Sequence, residues 1–329
     1  MDKNINKKIS VIGGNGFLGS ELLSLMRDKN IKNFDVNNLT EEDSYMDVEN
    51  IDSMDQLDGS SVVINLAAIH RDDVRPISRY DEVNVNGAKN VCDICEKYNI
   101  NKIIFTSSVA IYGFAPPNTD ESGKPNYFND YGRTKYEAEE IYKKWYLKDT
   151  LNRSLVIIRP TVIFGEGNRG NVYNLLNSIC SNKFLMIGSG KNKKSMAYVK
   201  NVAAFIKYSI DFDQGIHIYN YIDKPDIDMN TLVSLTRAKV MKKKGVGLRI
   251  PYFIGVLFGH LIDIFSKIMS KNFPISYIRV KKFASTTQFN TSISKTGFQA
   301  PYSLEEGLIN TLNYEFLDDN KDKQVFFTE

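Results

Sequence analysis

The sequence predicts an α/β fold, a doubly wound parallel sheet followed by a smaller, mixed C-terminal lobe. Three observations predict it. Short apolar runs alternate with helical periodicity through the first half, the first run ends in a glycine cluster that opens a helix, and the alternation loosens after Pro160. Helices on both faces of a parallel sheet bury its strands completely, so such strands read as unbroken apolar runs.

Taken in order, Ile9–Ile12 is an apolar run ending in glycines, and Phe17, Leu18, Leu22, Leu23 and Met26 follow at helical spacing. A second short strand ends at Asp35. Residues 62–68 form the next apolar run, 84–98 a helix, and 102–107 a β-rich run ending in hydroxyls. A loop rich in proline and asparagine (115–129) leads to a long helix, Asp130–Leu147, and then to a strand at 154–159 closed by Pro160. Beyond it lie glycine-rich loops at 165–170 and 188–190 and the strand Gly215–Tyr221. The expected division is a cofactor domain of 1–165 with 197–221 returning to it, a substrate lobe of 166–196 and 222–317, and a tail of 318–329. Within the tail, residues 318–323 are expected to be solvated.

The stretch 250–269 is the most apolar, but Asp263 and Lys267 interrupt it before it reaches the ~20 apolar residues a bilayer span needs. Two readings stand: a core helix of the second lobe, or an interfacial helix lying on a membrane.

Composition narrows the function classes. Of 329 residues 42% are hydrophobic and 25% charged, which excludes a disordered or fibrous chain and leaves room for a large core. The net charge is +3, and the clusters at Lys191, Lys193, Lys194 and at Lys242, Lys243, Lys244 read as solvated faces or as contacts for phosphate or anionic lipid. No nucleic-acid partner is expected. The three cysteines do not make a disulfide framework, which fits a reducing cytoplasm. Cys92 and Cys95 spell C-x-x-C inside a helix without a second pair, so they read as helix packing and no metal is expected.

The chemistry begins at the glycine loop. Gly14, Gly16 and Gly19 satisfy G-x-G-x-x-G, and Gly13, Gly16 and Gly19 the looser G-x-x-G-x-x-G, directly between strand and helix. Side chains there would keep a pyrophosphate from the backbone N–H groups and the positive end of the helix dipole. Asp35, at the end of the next strand, is placed to take ribose hydroxyls. Its carboxylate would repel a 2′-phosphate, which favours NAD over NADP.

Tyr131 and Lys135 read Y-x-x-x-K, and their i, i+4 spacing puts phenol and ammonium on one helix face. A phenol is a poor base at neutral pH, but a nearby ammonium and a positively charged nicotinamide both favour phenolate. Tyr131 is therefore a candidate proton shuttle. Ser108, just past the strand that ends Thr106, Ser107, lies at the sheet edge where ligands bind in doubly wound folds and can hydrogen-bond the reacting oxygen.

These residues together resemble the extended short-chain dehydrogenase/reductase family of NAD-dependent sugar epimerases and dehydratases, over nearly the whole chain. The resemblance rests on Gly13 through Gly19, on Asn65-Leu66-Ala67-Ala68, on Asn84-Val85-Asn86-Gly87, on Ser107-Ser108 with Ile111-Tyr112-Gly113, on Tyr131 with Lys135, and on Arg159-Pro160. It implies a Rossmann-type fold and tightly bound NAD. It further implies adenine contacts from Asp47 and Val48, a cofactor wall from Phe17, Leu18, Leu66, Ala67, Ala68, Asn84 and Ser107, and a nicotinamide border of Pro160 and Val162.

Family reactions open with a hydride leaving a sugar C4–H while the tyrosine takes the hydroxyl proton. In the 4,6-dehydratases an Asp-Glu pair follows the catalytic serine or threonine. Here Val109 and Ala110 follow Ser108, so epimerisation or simple reduction remains. Residues 70–74, 159–176, 194–199 and 219–225 resemble a bacterial subgroup of 4-epimerases acting on N-acetylglucosamine carried by diphospho-undecaprenol, for O-antigen synthesis. UDP-sugar 4-epimerases and NAD(P)H-dependent 4-keto reductases are the alternatives. A diphosphate-linked amino sugar would be met by Arg169, Lys194 or Arg279, with Asn171 beside them and His70 near the nicotinamide. A lipid-linked substrate would place the chain in the cytoplasm, peripheral on the inner membrane through 250–269. Family members also form dimers through the helices flanking the tyrosine.

Overall fold

The computed structural model describes residues 7–27, 30–37, 43–71, 73–269, 277, 281, 284–320 and 322–328. Its centre is a seven-stranded parallel sheet: β1 (Ile9–Ile12), β2 (Ile31–Asp35), β3 (Ser44–Tyr45), β4 (Val62–Asn65), β5 (Lys102–Thr106), β6 (Ser154–Pro160) and a late strand, Gly215–Tyr221. The order is late strand, β6, β5, β4, β1, β2, β3, every pair parallel. All residues of β1, β4, β5 and β6 are buried, as strands covered on both faces must be.

On one face α3 (Gly87–Lys97) and α4 (Asp130–Leu147) bury Val91, Ile94, Tyr142 and Trp145 against the strands. On the other, α1 (Phe17–Leu25) and the helix Val199–Ser209 pack Leu22, Val202 and Phe205. The expected helix starts earlier than residue 84: α2 (Ser78–Tyr80) runs through a π turn, Asp81–Asn86, into α3. The expected strand 62–68 stops at Asn65, whose Oδ1 accepts the Ala67 N–H and turns the chain out of the ladder. Cys92 and Cys95 are buried in the core, and desolvation raises both thiols.

The second lobe gathers the helices Asn171–Cys180, Met229–Met241 and Leu304–Phe316 around Leu176, Leu232, Leu308 and Tyr198. Each of the last two has a built start: Asp228 caps Thr231 N, and Ser303 with Glu306 forms a reciprocal capping box. The helix Tyr252–Met269 is not a core helix over its first two turns, since Phe253 is 71%, Leu257 59% and Phe258 56% exposed. No helix among the described residues is long and apolar enough to cross a membrane.

Asp322 and Lys323 are exposed. Beyond them the chain packs back on the protein, where Phe326 pairs with Asn168 and lies against Phe17.

Candidate active site

Beyond the C-terminal ends of β1 and β4 a cleft of about 900 Å³ opens between the sheet domain and the second lobe. One wall is the glycine loop. At Gly13 φ is +81°, and a Cβ would lie 2.7 Å from the Ala67 nitrogen. A Cβ at Gly19 would lie 2.5 Å from the Gly14 Cα. These two glycines are required by the approach of backbone to backbone. Gly16 differs: a Cβ there meets nothing closer than the Gly13 oxygen at 3.4 Å, so the bare face of Gly16 is open to the cleft. Gly16 also begins α1 without a side-chain cap. An uncapped helix start behind an open glycine fits a pyrophosphate held on backbone N–H groups.

Asp35 ends β2 in the same cleft. It is oriented by two backbone donors, Asn15 N to Oδ2 and Asn37 N to Oδ1, both at 3.0 Å. A carboxylate fixed this way has lone pairs left for a vicinal diol and nothing to offer a 2′-phosphate. Asp47 and Val48 line the far end, and Leu66, Ala67 and Ala68 line the floor. The donor set fits NAD.

The opposite wall carries Ser107, Ser108, Tyr131 and Lys135, with Pro160 and Val162 beside them. Tyr131 and Lys135 come from α4, whose start is fixed by Asn129, Oδ1 accepting Gly132 N at 2.9 Å. Lys135 is 3% exposed, and its Nζ donates to the Thr106 carbonyl at 2.8 Å, just before Ser107. Its ring neighbour is Phe105, 4.7 Å from Nζ to the centroid. Burial lowers the Lys135 pKa to about 7, against an opposing pull from the Glu139 carboxylate. Ser108 Oγ accepts Ala110 N at 3.1 Å, which leaves its own O–H to donate. His70 also lines the cleft, and burial lowers its pKa.

Behind this wall lies a buried network that the sequence did not announce. Glu139 takes Arg159 by both carboxylate oxygens, at 2.8 and 2.6 Å, and Ser107 Oγ at 2.5 Å. Arg159 also donates to the Tyr112 hydroxyl at 2.6 Å, and that hydroxyl donates to Asn220. The one signal was Glu139 standing one turn after Lys135 on the helix face that meets the sheet.

Other expected contacts fall elsewhere. Asn84 is not in the cleft wall: its side-chain amide clasps the backbone of Ile69, accepting from N and donating to O, and donates to Thr134. Arg169 is engaged by Glu315 and lies over the Tyr173 ring at 4.1 Å. Lys194 sits behind Thr287, donating to the Ser285 carbonyl at 2.7 Å, and burial lowers its pKa to about 8. Asn171 does line the cleft. Arg279 lies outside the described residues. Asn168, Thr287 and Thr328, unexpected from the sequence, line the cleft as well. No metal-ligand cluster occurs among the described residues.

Comparison with known proteins places this geometry. The model of the NAD dependent epimerase/dehydratase family matches residues 9–221. The chain is 46% identical, over 99% of its own length and all of its relative's, to the N-acetyl-alpha-D-glucosaminyl-diphospho-ditrans,octacis-undecaprenol 4-epimerase of Escherichia coli O157:H7. Among solved structures it resembles a UDP-N-acetylglucosamine 4-epimerase from Methanobrevibacter ruminantium M1, with a TM-score of 0.72 at 21% identity over 94% of this chain and 97% of that one. It also resembles the UDP-glucuronic acid 4-epimerase of Bacillus cereus, solved with NAD, with a TM-score of 0.69 at 16% identity over 93% and 97%. At these identities the structural likeness speaks to the fold.

Proposed function

Because the chain belongs to the NAD dependent epimerase/dehydratase family, we propose that it is a 4-epimerase interconverting N-acetylglucosaminyl- and N-acetylgalactosaminyl-diphospho-undecaprenol on NAD held in the cleft. The observation that carries the substrate is the full-length 46% identity to an enzyme of that name.

Bound NAD would supply a hydride acceptor, and once reduced a hydride donor, at the sugar C4. The chain's own residues handle the proton. Tyr131, as phenolate, takes the C4 hydroxyl proton as the C4–H bond breaks, and a 4-keto sugar results. Lys135 stabilises the phenolate electrostatically, while Ser108 donates a hydrogen bond to the C4 oxygen. Once the keto sugar has turned over, Tyr131 hands the proton back to the C4 oxygen. Val109 and Ala110 supply no acid or base after Ser108, so nothing there would drive loss of water from the intermediate.

A substrate on a polyprenyl carrier reaches the enzyme at a bilayer. The exposed Tyr252, Phe253, Leu257 and Phe258 lie on one helix, with exposed Lys242, Lys243, Lys244 before it and exposed Lys281 after it. Apolar side chains flanked by lysines suit an anionic membrane surface, which supports peripheral attachment through this helix.

The function is tested by giving the purified chain lipid-linked and UDP-linked N-acetylglucosamine in parallel. Conversion of the lipid-linked sugar is expected. Conversion of the UDP-sugar alone, or net consumption of added NADH with a 4-keto sugar, would replace the reading by a UDP-sugar epimerase or a reductase.

A further inference from the structure

The last described residues return to the cleft. Phe326 N donates to the Gly167 carbonyl at 2.9 Å, and its own carbonyl accepts Arg169 N at 2.8 Å, which makes a short parallel bridge to the loop after Phe164. Two residues on, Thr328 Oγ1 donates to Asn168 Oδ1 at 2.7 Å, and both residues line the cleft. The loop is built to accept this segment. Gly167 is at φ +79°, where a Cβ would lie 3.1 Å from the Gln324 carbonyl. At Gly170 a Cβ would lie 2.4 Å from the Thr328 hydroxyl. Glu315 fixes the loop from its other side, accepting from Gly167 N at 2.7 Å and from Arg169.

The same segment also reaches the glycine loop. The Phe326 ring lies 5.7 Å from that of Phe17, the first residue of α1, and a Cβ at Gly165 would lie 3.3 Å from the Phe17 ring. Phe17 is 8% exposed, held between the second-lobe loop and Phe326. The segment thus ties the second lobe to the start of the helix against which the pyrophosphate would rest.

We infer that residues 324–328 form a latch that retains NAD by pinning loop 165–171 and Phe17 over the pyrophosphate end of the cleft. This rests on the reading that the cofactor is recycled in place, because an enzyme that returns its hydride each turnover gains from slow cofactor release. Two backbone hydrogen bonds, one side-chain hydrogen bond and one half-buried ring hold the latch. So few contacts can open locally without unfolding the domain, which provides a route for loading.

The test compares the full chain with a form lacking residues 324–329 and with the double substitution Phe326→Ala, Thr328→Ala. The readouts are bound NAD after gel filtration and the rate of NAD dissociation, both without any sugar. We expect dissociation at least ten-fold faster in both variants, with near-native circular dichroism. If the truncated form does not fold, the double substitution alone decides. Unchanged retention and an unchanged dissociation rate in a folded variant would overturn the latch. Because no substrate enters the measurement, an error in the sugar assignment would leave its outcome intact.

Discussion

Glu139 grips Arg159 through both carboxylate oxygens one helical turn beyond Lys135, and neither partner reaches solvent, with side-chain exposures of 0% and 5%. The pair fixes α4 against β6, and with it the height of Lys135 at the cleft wall. Its charge also raises the Lys135 pKa against the lowering effect of burial.

Removing that charge should cost both stability and catalysis. Glu139→Gln strands a buried guanidinium, and losing one partner of a buried pair costs on the order of 3–5 kcal/mol. Denaturant unfolding should show this loss. In the folded fraction the fall in kcat with rising pH should begin at lower pH, because Lys135 gives up its proton more readily without the carboxylate. An unmoved pH profile would mean that Glu139 acts only as packing.

Lys135 itself gives a pH signature in stability. Its pKa is lowered from 10.5 to about 7 in the folded chain, so the unfolded state binds the extra proton between those values. This group therefore penalises folding fully below about pH 7, and the penalty is relieved as pH rises toward 10.5, by about 1.4 kcal/mol per unit. Lys135→Met removes the penalty. Its stability advantage over the parent apoprotein should be largest near pH 6–7 and shrink toward pH 10, as thermal melts across that range would show.

Tyr131→Phe keeps the ring and deletes the proton acceptor. We expect kcat to fall by roughly 10²–10⁴-fold with bound NAD unchanged after gel filtration. Retained activity would move the proton transfer to another group.

Gly19→Ala places a methyl 2.5 Å from backbone atoms of Gly14, which cannot swing aside as a side chain could. A loss of about 1–3 kcal/mol is expected from the overpacking, together with loss of NAD binding. Asp35→Ala leaves the Asn15 and Asn37 N–H groups without their acceptor, a cost of about 1–3 kcal/mol, and should narrow the preference for NAD over NADP in equilibrium binding.

The exposed helix is tested in the same spirit. Replacing Phe253, Leu257 and Phe258 by serine removes apolar side chains that are more than half exposed. Sedimentation with anionic vesicles should drop several-fold while activity on a detergent-dispersed substrate persists. Equal sedimentation would assign the helix another role.

Most of the sheet was legible because strands buried on both faces leave apolar runs, and Ile9–Ile12 falls where such a run predicts. Asp130–Leu147 lies where the sequence places a long helix after the proline- and asparagine-rich loop, and Asn129 caps its start. Local side-chain bonds were harder to read. The end of β4 depends on Asn65 bonding its own backbone, and Asn84, which reads as a cofactor contact, is occupied with Ile69. Glu139 looks like one more charge on a charged helix until Arg159 arrives from a strand twenty residues later. The role of Phe326 was illegible for a similar reason, since its partners Phe17 and Asn168 are 309 and 158 positions away in a segment with no periodicity of its own.

The central claim is that the chain inverts C4 of a lipid-linked amino sugar by removing a hydride and returning it from bound NAD. The most direct measurement follows lipid-linked N-acetylglucosamine carrying deuterium at C4, incubated with the purified chain and excess free unlabelled NAD. We predict lipid-linked N-acetylgalactosamine that retains its deuterium at C4, with none in the free nicotinamide pool. Unconverted lipid-linked sugar, or product whose C4 deuterium has been lost to the free pool, would contradict the account.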